Sequence, residues 1–355
     1  MDTRFLFLHL AHPHEALNDL AALCARRPEE HRWVSPDACG KLGGVQPDVV
    51  VVHLMEAPFP ELLARWPEAA VVWAAWGKDY YGRFPELAEG LLLPRTRAMA
   101  LRIGKPTAFF PRFPHWLRSL RTLRIESEEA WLSRVGYVSS FLQEAFPAKH
   151  RLPQAVRFIP HLYGQIDVAK WEHLRIESTA RGVVIGPSAE LTSNLPDALV
   201  WLADKAPGVP VRAALAYGSP RIRRRVQSAG TRLFTNDWEP LTELTDLPEF
   251  LRWLTRSHCL VLFSIRMQGI RTLLYALWVG MRVVLHPKNP ALVVLRNRGF
   301  VVFDSEGISG RDLALPLPHP DQETNRLLVK RHADPKRIHE GLDQILRDRK
   351  RPPTP

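Results

Sequence analysis

The feature that most constrains this chain is a regular alternation of short apolar runs with helical patterns across residues 182–303. The apolar runs are nearly continuous, which is typical of strands covered on both faces of a parallel sheet. Strands that alternate with helices predict βαβ units. The predicted strands are Gly182–Gly186, Val211–Ala216, Cys259–Phe263, Arg282–Leu285 and Phe300–Phe303, and the predicted helices are Asn194–Ala206, Pro220–Ala229, Leu247–Ser257, Gly269–Val279 and Asn289–Asn297.

The first half of the chain carries a second, less regular set of strands. They are predicted at Arg4–Leu10, Asp48–Leu54, Ala70–Ala75, Val135–Ser139 and Val156–Pro160. A chain of 355 residues exceeds the usual size of one hydrophobic core, so two domains are expected. We predict an α/β protein with two Rossmann-like domains of mostly parallel sheets that face a central cleft. The predicted divisions are residues 1–170, residues 181–330, and a C-terminal helix and tail at residues 331–355.

The charge balance favours an anionic partner. Lys and Arg number 48 against 37 Asp and Glu, a net charge of +11, and such a surplus favours phosphates, nucleic acid or an acidic membrane face. The three cysteines, Cys24, Cys39 and Cys259, lack the spacing of a disulfide scaffold or a zinc site. No apolar run approaches the length of a transmembrane helix, and no P-loop, DxD motif or metal cluster is evident. The sequence predicts a cytoplasmic or membrane-peripheral protein without a metal or cofactor.

The sharpest local signal lies between Phe263 and Gly280. A buried strand ends near Phe263, a short loop follows, and a helix begins around Ile270 and ends at Gly280. Ligands of open parallel sheets bind beyond the carboxyl ends of the strands, and a helix start favours a diphosphate. The candidate diphosphate ligands are Arg266, Gln268, Gly269, Ile270, Arg271 and Thr272. The alternative is an ordinary turn with two solvated arginines.

Two further loops of the second half follow predicted strands. After Gly182–Gly186 come Ser188 and Asn194, and after Val211–Ala216 come Tyr217 and Gly218. We predict that Gly186, Ser188, Asn194 and Gly218 contact the same diphosphate-containing ligand, a nucleotide-linked donor, and that Tyr217 stacks on its nucleobase. The alternatives are helix capping for the polar residues and packing for the tyrosine. The basic residues at 221–225 follow the loop that contains Tyr217. We interpret them as the solvated face of a helix rather than as specific ligand contacts.

The first half offers a segment that combines acid and aromatic side chains. Residues 76–80 read Trp76-Gly77-Lys78-Asp79-Tyr80 and follow a predicted strand. Asp79 is a candidate general base for an acceptor hydroxyl, and Tyr80 a candidate sugar-stacking platform. A helix N-cap for Asp79 and core packing for the aromatic rings are the alternatives. His53 and Glu56 follow another strand and are rival bases.

A basic stretch runs from Arg112 to Arg124 without acids. On a helix its leucines and Trp116 share one face, flanked by arginines, which is typical of a helix lying on an anionic membrane. An ordinary surface helix explains the same pattern.

Five motifs in order resemble the bacterial TDP-N-acetylfucosamine:lipid-linked-oligosaccharide N-acetylfucosaminyltransferases, glycosyltransferase family 56. Trp76-Gly-Lys-Asp-Tyr-Tyr is similar to that family's Trp-Gly-x-Asp-Leu-Tyr, and Met267-Gln-Gly-Ile-Arg-Thr-Leu to its Gln-Gln-Gly-Ile-Gly-Thr-Leu. The other three motifs are Val184-Ile-Gly-Pro-Ser with Ser193-Asn194, Tyr217-Gly-Ser-Pro, and Leu285-His-Pro-Lys-Asn289-Pro. Two positions depart from the family, since Arg271 stands where it has Gly and Pro187 where it has Asn.

The resemblance implies a GT-B fold and a metal-independent transfer of a deoxy- or amino-sugar from a dTDP-sugar. The acceptor it implies is a polyprenyl-diphosphate-linked glycan of envelope polysaccharide synthesis, at the inner face of the cytoplasmic membrane. Asn289 then belongs to the donor site, and Trp76, Gly77, Lys78 and Tyr80 to the acceptor site. His53 and Glu56 lie outside the resemblance, which begins near residue 70, and are placed at the acceptor site as rival bases. Asp79 is the base if the transfer inverts the anomeric carbon, and Arg266 stabilises the leaving diphosphate.

Three other functions remain open from the residues. The first is nucleic-acid binding, which the net charge favours but which no helix-turn-helix, zinc-finger or RNP signature supports. The second is a GT-B-like protein that binds a nucleotide sugar without transfer, and the third is a nucleotide-sugar epimerase. We expect a nucleotide sugar rather than nucleic acid as the partner.

Overall fold

The computed structural model describes residues 6–11, 20–21, 24–25, 30–35, 38, 45–53, 62–104, 131–162 and 165–350. The predictions for Glu56 and for Arg112–Arg124 lie outside these residues. The chain forms two compact units, the first from residues 1–88, 111–165 and 335–355 and the second from residues 89–110 and 166–334. The domains predicted from the sequence were continuous ranges. In the structure, residues 89–110 group with the second unit and residues 335–355 group with the first.

The first unit contains a six-stranded parallel sheet with the order β2-β1-β3-β4-β5-β6. Four consecutive valines of β3 are completely buried, as expected for a central strand covered on both faces. The strands are β1 (Phe7–Leu10), β2 (His31–Val34), β3 (Val49–His53), β4 (Ala70–Ala74), β5 (Val135–Ser139) and β6 (Arg157–Ile159).

The second unit contains another six-stranded parallel sheet, with the order β12-β11-β10-β7-β8-β9. Here β7 and β10 are neighbours, and the chain continues from β7 to one side and from β10 to the other. This pair is therefore the topological switch point, where ligands bind in doubly wound sheets. The strands are β7 (Val183–Ile185), β8 (Val211–Ala214), β9 (Trp238–Leu241), β10 (Cys259–Leu262), β11 (Arg282–Leu285) and β12 (Phe303–Asp304).

Helices connect the strands in both units. Among the described residues none is long and apolar enough to cross a bilayer. The helices are α1 (Lys78–Arg83), α2 (Pro85–Ala88), α3 (Pro94–Arg102), α4 (Leu195–Lys205), α5 (Pro220–Phe234), α6 (Leu247–Thr255), α7 (Ile270–Val279), α8 (Pro290–Asn297), α9 (Gly310–Leu313), α10 (His319–His332) and α11 (Lys336–Lys350).

Helix α3 shows how residues 89–104 attach to the second unit. Its start is capped by Asp197 of α4, whose carboxylate accepts hydrogen bonds from the backbone N–H of Arg95 at 3.0 Å and of Thr96 at 2.8 Å. The Thr96 hydroxyl donates to the same carboxylate at 2.6 Å. Ala100 then packs into the core of this unit beside α4. The carboxylate replaces the local cap that α3 itself lacks.

The predicted α/β class with parallel sheets is confirmed, and most predicted strands agree with the structure to within three residues. Two strands were missed, β2 and β9, and both are edge strands. Each carries polar side chains and is only partly buried, with Arg32 exposed and Glu239 half-buried. Edge strands commonly carry charge because it discourages pairing with other chains, and that charge hides the apolar pattern.

Candidate functional site

The loops that follow β7 and β10 meet at the switch point of the second sheet. Gly269, in the β10 loop, has a φ of +67°, and a Cβ there would lie 2.3 Å from Pro187 of the β7 loop. A side chain at this position would have to push the two loops apart. Glycine therefore permits both the left-handed backbone and the close approach.

Gln268 ties the two loops together through its side-chain amide. The amide nitrogen donates to the Ser188 hydroxyl at 2.8 Å and to the Ser193 hydroxyl at 3.0 Å. The amide oxygen accepts from the Thr192 hydroxyl at 2.9 Å. All three hydroxyl residues lie in the β7 loop and are buried. The predicted donor ligands Ser188 and Gln268 are thus brought together, in direct contact with each other.

An ion pair lies at the edge of this network. The Arg266 guanidinium lies 3.1 Å from a Glu190 carboxylate oxygen, and the Gln268 amide nitrogen, whose two protons are shared among three acceptors, lies 2.9 Å from the same oxygen. The Arg266 side chain is 14% exposed and that of Glu190 36% exposed. The sequence reading overlooked Glu190, although it is the single acid between Gly186 and Asn194. The site therefore pairs Arg266 with a carboxylate that the sequence analysis did not include.

Helix α7 begins immediately beside this ion pair. Gly269 is its N-cap and no side chain caps the helix there. Residues 265–272 are partly exposed, so the first turn is accessible to solvent. The first N–H groups of a helix lack partners within the helix and, with its dipole, favour an anion. The predicted residues Ile270, Arg271 and Thr272 form this turn.

The loop after β8 joins the same edge of the sheet. Ala189 of the β7 loop donates from its N–H to the Tyr217 carbonyl at 2.7 Å and accepts from the Ser219 N–H at 2.9 Å. These bonds form a parallel bridge between Ala189 and Gly218. The Tyr217 ring is 59% exposed. The packing alternative for Tyr217 is therefore not favoured, and its ring can accept a planar ligand.

Asn194 has a structural role that differs from its predicted contact with the donor. It is completely buried with a φ of 51°. Its amide donates to the carbonyls of Leu91 at 2.9 Å and Phe263 at 3.1 Å, and its oxygen accepts from the Leu93 N–H at 3.0 Å. Since the side chain is fully occupied, it holds the end of β10 to the segment before α3.

Asn289 and Gly186 are also explained by local structure. The Asn289 side chain caps α8 by accepting from the Ala291 N–H at 2.9 Å, and donates to the Ser264 carbonyl at 2.9 Å. A Cβ at Gly186 would lie 2.4 Å from a methyl group of Leu195, so this glycine permits α4 to approach β7. The contacts favour structural roles for both.

The structure gives Asp79 a structural role that is neither the predicted base nor the N-cap, since Gly77 is the N-cap of α1 and Asp79 lies in the first turn. The carboxylate is 2% exposed and accepts from the Trp73 indole N–H at 2.6 Å and from the backbone N–H groups of Trp76 and Tyr80 at 3.1 Å each. A carboxylate committed to three donors and shielded from solvent is poorly placed to take a proton from a substrate. It instead fixes the turn at Gly77 and Lys78 that begins α1.

Tyr80 and His53 are core residues rather than exposed acceptor ligands. Tyr80 is 2% exposed and packs against Phe146, with ring centroids 5.0 Å apart. His53 is 1% exposed, and its Nε2 lies 3.1 Å from Nδ1 of His9. Burial lowers the pKa of His53 to about 3, so the ring is neutral at physiological pH. Trp76 is half-buried and remains a candidate acceptor contact.

The two parallel, helix-covered sheets, together with the similar structures that follow, show that the chain has a GT-B fold. The chain is similar to the apo structure of OtsA, with a TM-score of 0.62 and 10% identity over 99% of this chain and 100% of OtsA. It is also similar to Anabaena HepE in complex with UDP and glucose, with a TM-score of 0.60 and 12% identity over 97% and 100% of the two chains.

A third similar structure is sucrose-phosphate synthase from Thermosynechococcus elongatus, with a TM-score of 0.57 and 11% identity over 95% of this chain and 80% of that one. At such identities the likeness concerns the fold. No protein-family model and no curated protein matches the chain. The GT-B prediction is confirmed, and the resemblance to family 56 stays a prediction.

Proposed function

We propose that this protein is a glycosyltransferase that binds the nucleotide diphosphate of a sugar donor at the switch point of its second sheet. The observation that carries the proposal is the convergence there of the uncapped start of α7, the Arg266 guanidinium and the exposed Tyr217 ring. The start of α7 and the Arg266 guanidinium can bind a diphosphate, and the Tyr217 ring can stack on a nucleobase. Similarity to HepE, whose structure contains UDP and glucose, supports the same ligand class.

In this proposal the diphosphate lies at the first turn of α7, where the backbone N–H groups receive its oxygens. Gln268 keeps the β7 and β10 loops in register through Ser188 and Ser193. Arg266 turns from Glu190 to the diphosphate and stabilises the negative charge that develops on it when the glycosidic bond to the sugar breaks. This charge stabilisation takes the place of a divalent ion.

The finer assignments rest on the resemblance to family 56. We propose a dTDP-linked deoxy- or amino-sugar as donor and a lipid-linked glycan as acceptor, with the protein peripheral to the inner face of the cytoplasmic membrane. The base that deprotonates the acceptor is left unassigned, because Asp79 is occupied by three donors. Trp76 remains the proposed acceptor contact in the first unit.

Calorimetric titration with dTDP and UDP tests the nucleotide site. We expect Arg266→Ala to weaken nucleotide diphosphate binding by about 10- to 150-fold, the effect of losing one hydrogen bond to a charged group at about 1.5–3 kcal/mol. Arg256→Ala is a matched control, because Arg256 forms a comparable ion pair with Glu239 at 2.8 Å on the surface of the same unit. Absence of saturable binding by the wild-type protein, or equal binding by Arg266→Ala, would overturn the site.

One observation favours a second candidate, a protein that binds a nucleotide sugar without transferring it. Both groups predicted to act chemically, Arg266 and Asp79, are engaged by other groups of the chain. Turnover of dTDP-sugars with cell membranes as acceptor separates the two functions. Release of dTDP that depends on membranes supports the transferase, whereas binding without turnover supports the second candidate.

A further inference from the structure

A cluster of metal-ligating side chains lies in the first unit, apart from the nucleotide site. His9 on β1 and His31 on β2 project from the same face of the sheet, since Phe7 pairs with His31 and His9 with Trp33 in the parallel register. The buried thiol of Cys24 lies against the same face. The sequence predicted no metal site, because residues 9, 24 and 31 match no spacing motif.

The distances in this cluster suit a tetrahedral ion. One ligand atom from each of the three residues lies within 4.8 Å of the other two. His9 Nε2 is 3.0 Å from His31 Nδ1 and 3.9 Å from Cys24 Sγ. With bonds typical of zinc, two nitrogen ligands lie about 3.3 Å apart, and a nitrogen and a sulfur about 3.6 Å apart. Shifts of a few tenths of an ångström would bring the two distances from His9 Nε2 to these values.

A second layer of contacts orients the central ligand. His9 Nδ1 lies 3.1 Å from His53 Nε2, so His9 can donate its proton there and keep the Nε2 lone pair for an ion. The Trp33 ring stacks on His9 with centroids 4.4 Å apart and fixes the plane of the imidazole. Such a hydrogen bond on the second nitrogen is the usual companion of a metal-bound histidine.

The cluster has a route to solvent and further candidate ligands. A small opening beside Cys24 and His31 is also lined by Glu30 and by His339 and Asp343 of α11. His339 and Asp343 are four residues apart and share one face of that helix. One of these side chains, or water, can complete four-coordination. The opening gives an ion access without unfolding of the unit.

We propose that His9 Nε2, Cys24 Sγ and His31 Nδ1 bind a transition-metal ion, with Zn²⁺ the best match to a mixed nitrogen and sulfur ligand set. On binding, the Cys24 S–H bond breaks, the thiolate bonds to the ion and the proton passes to solvent. The imidazoles bind as neutral ligands. The ion would join β1, β2 and the segment around Cys24, and so stabilise the first unit.

The test uses the full-length protein, stripped with a chelator and titrated with Zn²⁺ or Co²⁺. We expect one ion per chain, submicromolar zinc affinity, a raised melting temperature and a cobalt–thiolate absorption band. Cys24→Ala should lose the band and weaken zinc binding by more than about 100-fold, beyond the usual effect of a second-shell change. Cys259→Ala is the matched control, since Cys259 is also a buried free thiol but lies in the second unit.

A second variant decides the matter if Cys24→Ala fails to fold. Because the chain has three cysteines, the double variant Cys39→Ala/Cys259→Ala leaves Cys24 as its sole thiol. A cobalt–thiolate band in that variant supports the site. If the double variant binds zinc stoichiometrically without that band, the assignment of Cys24 is overturned. Structural zinc sites bind far more tightly than about 10 µM. If the wild-type protein does not bind zinc more tightly than about 10 µM, the whole proposal is overturned.

Discussion

Replacing Asn194 by alanine should destabilise the second unit severely. The substitution removes three hydrogen bonds. Two of the partners, the carbonyls of Leu91 and Phe263, belong to buried residues, and each carbonyl left unpaired costs about 1–3 kcal/mol. Alanine in the left-handed backbone region adds about 1–2 kcal/mol. We therefore expect the free energy of unfolding to fall by at least about 3 kcal/mol, measured by urea unfolding followed by tryptophan fluorescence.

Asn194→Gly separates the two contributions. Glycine loses the same hydrogen bonds but adopts a φ of 51° without strain, so this variant should be more stable than Asn194→Ala by about 1 kcal/mol. Asn236→Ala, at an exposed position of the same unit, should change stability by less than about 0.5 kcal/mol. The reasoning is refuted if Asn194→Ala unfolds like the wild-type protein. If Asn194→Ala has normal stability but binds nucleotide more weakly, Asn194 contacts the nucleotide-sugar donor, as the sequence predicted.

Three further predictions concern the second unit. Glu190→Gln keeps an acceptor for Gln268 but removes the charge that competes for Arg266, so nucleotide diphosphates should bind about two- to fivefold more tightly by calorimetry; weaker binding would mean that the carboxylate itself contacts the ligand. Tyr217→Ala should weaken dTDP binding by about two- to tenfold through lost stacking, whereas Tyr217→Phe should bind normally; equal affinity of all three proteins would show that the base lies elsewhere. Burial, with a smaller contribution from Lys288, lowers the pKa of His286 below its ordinary value of 6.5. The unfolded state therefore binds the proton more readily than the folded state. His286 should consequently lower the free energy of unfolding as the pH drops below about 6.5. His286→Gln should therefore show a smaller fall in unfolding free energy between pH 7 and pH 5.5, and an unchanged slope would contradict the assignment.

The sequence was most informative where burial is complete. Near-continuous apolar runs predict β7, β10 and β11 within a residue, because a strand covered on both faces has little choice of side chain. Helix α10 escaped prediction because its residues are mainly polar and few of them are buried. Helix α3 was missed for a different reason, since the cap at its start comes from Asp197, about one hundred positions away in the sequence.

The sequence predicted the loops of the candidate site better than the contacts within them. The sequence predicts both loops because each follows a predicted strand, and in the structure the loops after β7 and β10 meet at the switch point. What each side chain contacts depends on partners distant in sequence. Glu190 pairs with Arg266 across 76 positions, and Asn194 bonds to Leu91 across 103. The sequence shows a carboxylate and an amide at the right loop, but it does not show which groups they face.

The cluster of His9, Cys24 and His31 illustrates the same limit more sharply. Each residue is unremarkable in the sequence, and a histidine within an apolar strand suggests only a satisfied core residue. The parallel pairing of β1 with β2 brings the imidazoles together, and that pairing was not foreseen because β2 is a polar edge strand. Missing one edge strand therefore concealed the whole candidate metal centre.

The net charge of +11 is not concentrated at the proposed nucleotide site, so it is not the main source of attraction for the nucleotide. At the switch point Arg266 is balanced by Glu190, and the first turn of α7 supplies the attraction for an anion through backbone N–H groups. Surplus arginines lie instead on the solvated face of α5, where Arg221, Arg224 and Arg225 are exposed while Ile222 and Val226 pack into the core. Nucleotide binding, measured by calorimetry at two salt concentrations, should accordingly depend only weakly on salt, because both the backbone donors of this turn and Arg266, whose side chain is 14% exposed, are screened much less than exposed arginines.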